Sequence, residues 1–133
     1  TMVFNARFHQ VLNGVGVCLF GISAGPRMPV MEWTNAATGW NKSPAEYLKI
    51  GERILLLRQA FNVREGIKPR DFAIAARALK AQQSGPHAGA ELDQDAMRAH
   101  FLHAFGWDQD SGRPARETLE ALGLNDVAEE LYA

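Results

Sequence analysis

The chain has 133 residues, 47% of them hydrophobic and 22% charged, with a formal net charge of -1 and a single cysteine. That length suits one domain, able to bury roughly two-thirds of its unfolded surface. The balance excludes a basic nucleic-acid or anionic-membrane surface, and no apolar run reaches the roughly 18 residues of a membrane helix. One thiol excludes an internal disulfide framework and fits a reducing cytoplasm. The opening Thr1-Met2-Val3-Phe4 lacks the regions of a signal peptide and reads as though cut from the interior of a longer polypeptide.

In chain order, Val3, Phe4, Phe8, Val11 and Leu12 recur at helical spacing, which predicts a helix ending near Asn13-Gly14. Gly14 and Gly16 then precede Cys18. Bare glycines let the backbone turn sharply or approach another body, and the thiol would stand at the end of a small loop. The same cysteine, inside an apolar run, also reads as a small buried hydrophobe. Gly21 to Pro29 reads as a connector. Pro29 then starts a helix with Val30, Trp33, Ala37 and Trp40 on one face, ended by Gly39.

The strongest helix follows Ser43. Pro44 fits its first position, and Glu46 forms a capping box with Ser43. Tyr47, Ile50, Ile54, Leu57 and Phe61 make a stripe that Leu48, Leu55 and Leu56 widen, predicting burial around most of the helix. Gly66 is its C-terminal stop, and Gly51 inside it implies close approach of a neighbouring helix. Between Lys68 and Gln83, Asp71 to Leu79 predicts a short helix, and Ser84 to Ala90 a loop. Asp93 caps a helix with Met97, Phe101, Ala104 and Phe105 on its apolar face, stopped by Gly106. Asp108 to Gly112 is a turn, Pro114 opens a helix through Leu119 and Leu122 closed by Gly123, and Asn125 caps a last one over 126–132. No segment alternates with a two-residue period. The expectation is an all-α, compact multi-helix domain of about five to six helices with irregular connectors, without an internal boundary over 1–133.

Of the polar candidates, His100 and His103 are spaced to share a helix face, but no carboxylate or cysteine completes a metal set, so they read as a solvated or interface pair beside the apolar face. Trp33, Trp40 and Trp107 read as core, and Arg58, Arg64 and Glu65 as ion pairs closing a helix end. No phosphate-binding glycine loop, zinc signature or nucleophile elbow occurs.

The run Trp33-Thr34-Asn35-Ala36-Ala37-Thr38-Gly39-Trp40, the block Gly51-Glu52-Arg53-Ile54 and the stretch Arg58-Gln59-Ala60-Phe61-Asn62-Val63-Arg64-Glu65-Gly66 resemble the C-terminal part of tungsten-containing aldehyde ferredoxin oxidoreductases. Gly85-Pro86, Leu92-Asp93, Gly106-Trp107-Asp108, Leu119 to Leu124 and Val127 to Leu131 continue the likeness in the family's order. Family enzymes are several times longer, so the resemblance implies the last piece of a larger enzyme.

In that family a pattern Asp-x-x-Gly-Leu-Cys contacts one of two pterins that hold tungsten, and its cysteine is the last ligand of a neighbouring four-iron four-sulfur cluster. The matching residues are Asn13, Gly16, Val17 and Cys18. Asn13 stands where the family has aspartate and carries no negative charge; Val17 replaces a leucine and stays apolar. The resemblance implies a tungsten (or molybdenum) bis-pterin and one four-iron four-sulfur cluster in the full-length protein, and neither in the isolated piece. It implies oxidation of a small aldehyde to a carboxylic acid, with water as oxygen source and ferredoxin as electron acceptor, in the cytoplasm. The partners are then the upstream part of the same polypeptide, ferredoxin and the aldehyde, with no nucleic acid and no membrane. The acid–base residues lie upstream, so no catalytic residue is named here, and the isolated chain is expected to be inactive. The alternative is a stand-alone helical interaction domain that has lost the cofactor, with its cysteine loop repacked onto its own core.

Overall fold

A computed structural model describes residues 1–24 and 28–133, Ala24 by its backbone only. In chain order the elements are α1 (Met2–Val15), α2 (Leu19–Ala24), α3 (Val30–Thr38), α4 (Pro44–Arg64), a 3-10 turn (Pro69–Asp71), α5 (Ala76–Leu79), α6 (Gln94–Ala104), α7 (Arg116–Ala121) and α8 (Asn125–Tyr132). The fold is all-α. Among the described residues the extended contacts are two isolated bridges, Gln82 with Ala88 and Trp107 with Pro114. Among the described residues eight α-helices replace the expected five to six. Helix α2, six residues long, is too short to carry a periodic signal, and the short helix expected over 71–79 is present as the four residues of α5.

Helix α4 is the 21-residue spine. The Ser43 backbone N–H donates to the Glu46 carboxylate at 2.8 Å, and the Glu46 N–H donates to the Ser43 hydroxyl at 3.4 Å, closing the capping box. The bonds from the Ser43 backbone and side chain hold the Glu46 carboxyl below its ordinary 4.5. At the other end Gly66 takes φ 76; its N–H donates to Val63 O at 3.0 Å, and the Ile67 N–H donates to Asn62 O at 2.9 Å.

Helix α1 crosses α4 at Gly51. A Cβ there would lie 2.1 Å from the Arg7 carbonyl oxygen and 3.1 Å from Val11 Cγ2, so the missing side chain is what lets the two backbones meet. Arg7 pairs with Glu52 at 2.6 Å and Arg58 donates to Gln10 at 2.8 Å, flanking the crossing. Behind α4, helices α6, α7 and α8 close a core of Leu56, Leu102, Phe105, Trp107, Leu119, Leu124 and Ala128. Phe101 meets Trp107 edge-on, at 5.7 Å and 79°, and the Asp108 carboxylate ties the next turn by accepting from Ser111 N–H and Oγ. Trp107 is therefore core, as expected.

Other expectations are corrected. Trp33 and Trp40 lie 55% and 49% exposed, while Val30 is the residue that α3 buries. Leu57 and Phe61, 46% and 53% exposed, show that α4 keeps an open outer face rather than burying most of its circumference. Met97 is exposed, and Leu102 takes the core position on α6. Helix α1 runs on through Gly14 to Val15, because Gly16 and not Gly14 supplies the left-handed turn. Helix α2 (Leu19–Ala24) runs into the connector expected over Gly21 to Pro29, and 25–27 of that connector lie outside the described residues. Pro29 precedes α3 as its cap. The stretch 68–83 breaks into the 3-10 turn and α5, Pro114 sits buried two residues before α7, and Asn125 is the first residue of α8 rather than its cap.

Gly51→Ala is expected to cost about 3 kcal/mol, the upper end of overpacking, because its new methyl meets backbone and not a yielding side chain. The midpoint of denaturant unfolding measures it. Because the folded-state pKa of Glu46 is lowered, its stabilisation is complete above its ordinary value and is lost as pH falls through the lower folded one. In Glu46→Gln, that acid-limb contribution should vanish from a pH series of unfolding midpoints.

Candidate functional site

The candidate residues lie on the last turn of α1 and the link to α2. Gly16 adopts φ 77 and ψ 22, and its N–H donates to Asn13 O at 3.2 Å. Val17 N–H donates to Leu12 O at 3.1 Å, the six-to-one bond that folds the chain back across a helix end. Leu12 is 1% exposed, so the turn is pinned to the core through its carbonyl. Beyond the turn, Cys18 O accepts from Ile22 N–H at 3.1 Å and starts α2. Cys18 is thus gripped by backbone on both sides.

Its side chain is free and exposed. The buried-hydrophobe reading of this cysteine is therefore set aside. Asn13 is exposed on the same helical turn, Val17 is half-buried, and nothing lies within 4 Å of where a Gly16 Cβ would project. Around them Val15, Leu19 and Phe20 are 37%, 40% and 83% exposed. An open backbone shelf beside an exposed thiol has the room and the softness that a bulky sulfur-ligated group needs. One thiol supplies one ligand. Among the described residues no group of three or more His, Cys, Asp or Glu side chains is placed to hold a metal ion, and His100 and His103 are both exposed.

Arg64 pairs with Glu65 at 3.0 Å and with Glu130 at 3.7 Å, closing the end of α4 as expected. Arg58 does something else: it donates to Gln10, a buried amide on α1. The sequence reading passed over Gln10. The available signal was a polar residue following Val3 and Ala6 on the inward face of α1 at three- to four-residue spacing.

Fold and site together define a helical domain with an exposed thiol on a glycine turn, and the family assignment comes from comparison with known proteins. A family model described as aldehyde ferredoxin oxidoreductase, domains 2 and 3, matches residues 1–124, and the chain belongs to that family. It is 34% identical over 116 residues to a tungsten-containing aldehyde ferredoxin oxidoreductase of Thermococcus kodakarensis, covering 86% of this chain and 19% of the relative. The protein of the same description in Pyrococcus furiosus is 34% identical over 119 residues, and that of Pyrococcus abyssi 32% over 118. The chain spans 19% of the length of each of these relatives.

Native-state labelling of Cys18 by a small thiol reagent is expected to run within about tenfold of the unfolded-state rate, since access does not limit it. Protection comparable to that of core amides would contradict the exposed turn.

Proposed function

We propose that this chain is the C-terminal helical part of a tungsten-pterin aldehyde:ferredoxin oxidoreductase, completed by further domains of the same polypeptide. The observation that carries the reading is an exposed Cys18 thiol on a glycine turn, in a chain that belongs to this family. A bound tungsten (or molybdenum) bis-pterin and four-iron four-sulfur cluster would supply the redox chemistry: an aldehyde and one water would give a carboxylic acid, with two electrons passing to ferredoxin and two protons released. Cys18 is the last cluster ligand, its thiolate held outward by the α1–α2 link. Gly16, without a side chain, lets the pterin approach the backbone, and Val17 anchors the turn from its half-buried position. Asn13 offers an amide that both donates and accepts hydrogen bonds to the pterin edge.

The apolar side chains around the thiol fit the same reading, because water must be excluded where charge moves in a low dielectric. Among the described residues no helix is long and apolar enough to cross a membrane, and we place the enzyme in the cytoplasm. A stand-alone interaction domain is the second reading, favoured by the asparagine at position 13. Its expected consequence is a thiol repacked into the core, and Cys18 is instead exposed.

In the polypeptide that carries this sequence, Cys18→Ser is expected to lose bound iron while keeping its helical circular-dichroism spectrum. Unchanged iron content would overturn the ligand assignment. That polypeptide should also be several times heavier than 14.7 kDa, and the 133-residue chain alone should not oxidise aldehydes.

A further inference from the structure

We propose that Arg58 is a positioning residue for the Cys18 turn, acting through Gln10. Gln10 is 9% exposed, the one polar side chain buried to that degree among the described residues. A buried amide without a partner is costly, and here the Arg58 guanidinium supplies the partner, donating from Nη1 to Gln10 Oε1 at 2.8 Å across 48 residues of sequence. The bond is charge-assisted and its donor is a planar fork, so it constrains direction as well as distance.

The connection to the thiol is short and continuous. Arg58 stands on α4, the helix fixed at both ends by its caps. Gln10 lies two residues before Leu12 and three before Asn13, whose carbonyls accept the Val17 and Gly16 N–H groups. Cys18 follows directly. Gly14, between these points, faces Ile54 of α4, whose Cδ1 lies 3.4 Å from where a Gly14 Cβ would project, so the final turn of α1 runs alongside the same helix. The other strut, Arg7 to Glu52, lies on the far side of the Gly51 crossing and governs the opposite half of α1. Arg58 is thus the polar tie on the cysteine-bearing half. A displaced turn would move Sγ relative to the remaining cluster ligands, so this consequence for iron rests on the function proposed above, whereas the tie itself does not.

The test is peptide-resolved hydrogen exchange on the full-length polypeptide, comparing wild type with Arg58→Ala, Arg58→Lys and Gln10→Leu, and with Arg53→Ala as control. Arg53 sits on the same helix but donates to Leu122 O. Exchange at Gly16 and Val17 should rise about tenfold in Arg58→Ala, the equilibrium equivalent of one lost charged hydrogen bond. Gln10→Leu, which keeps the site filled and apolar, should give the same local rise with the core helix α8 unchanged. Arg58→Lys should restore most of the protection, and Arg53→Ala should leave the turn at its wild-type rate. Wild-type exchange in Arg58→Ala, or an equal rise throughout α8, would overturn the proposal. With iron retained, the reduction potential of the cluster should also shift in Arg58→Ala. If Cys18→Ser leaves the iron in place, the ligand assignment falls while the exchange result still decides the role of Arg58.

Discussion

The fold depends on one close approach. Gly51 brings the middle of α4 against the backbone of α1 at Arg7, a distance no side chain can occupy. Two helices at ordinary separation are held by interdigitating side chains and can slide by small amounts. Here backbone meets backbone, and the residues on either side fix rotation as well as distance. Arg7 reaches Glu52 on one side and Arg58 reaches Gln10 on the other. Because α4 also carries Leu56 and Ala60 into the buried interior, the crossing couples the cysteine-bearing helix to the whole C-terminal half.

That coupling gives the candidate site its form. A thiol on a long free loop would lose positional entropy each time it bound a metal group, and a pre-set turn avoids most of that cost. Cys18 has only Val17 and Gly16 between it and a helix anchored in the core, and its own carbonyl opens the next helix. The left-handed Gly16 is the hinge of this arrangement. Any L-residue with a side chain would be strained at φ 77, even though the space beside it is open. Conformation therefore requires the glycine, and the open space beside it is a separate property that a ligand can use.

Local chemistry was legible in the sequence wherever a residue acts through its own backbone. Ser43, Pro44 and Glu46 announced the start of α4, Gly66 and Gly106 its end and that of α6, and Gly51 a helix crossing. The thiol turn was legible as a glycine-rich break before Cys18, although Gly14 proved to be helical and Gly16 alone makes the turn. What stayed hidden depends on which face of a helix meets another. Trp33, Trp40, Leu57 and Phe61 have the spacing of core residues, yet periodicity says only that a stripe exists and not what covers it. Gln10 was missed for the complementary reason, since its partner lies 48 positions away and no local pattern names it.

The uncovered stripes are distributed unevenly, and this links packing to function. Helices α7 and α8 leave no large hydrophobic side chain broadly exposed: Leu119 and Leu124 are buried, and Leu122, Val127 and Leu131 are at least half-covered against the core. Around the thiol the balance reverses, with Val15, Leu19 and Phe20 open to solvent, and Phe4 and Trp33 also exposed on the first and third helices. Clustered exposed apolar surface marks a face that meets another body, whereas isolated apolar residues carry no such meaning. The same segment that leaves its hydrophobic groups uncovered also leaves its thiol uncovered. A domain that buried those side chains on itself would have to draw the Cys18 turn inward with them, since Leu19 and Phe20 follow the thiol directly in sequence. Exposure of the thiol and exposure of the apolar surface are therefore one structural choice, fixed by where α1 ends and α2 begins.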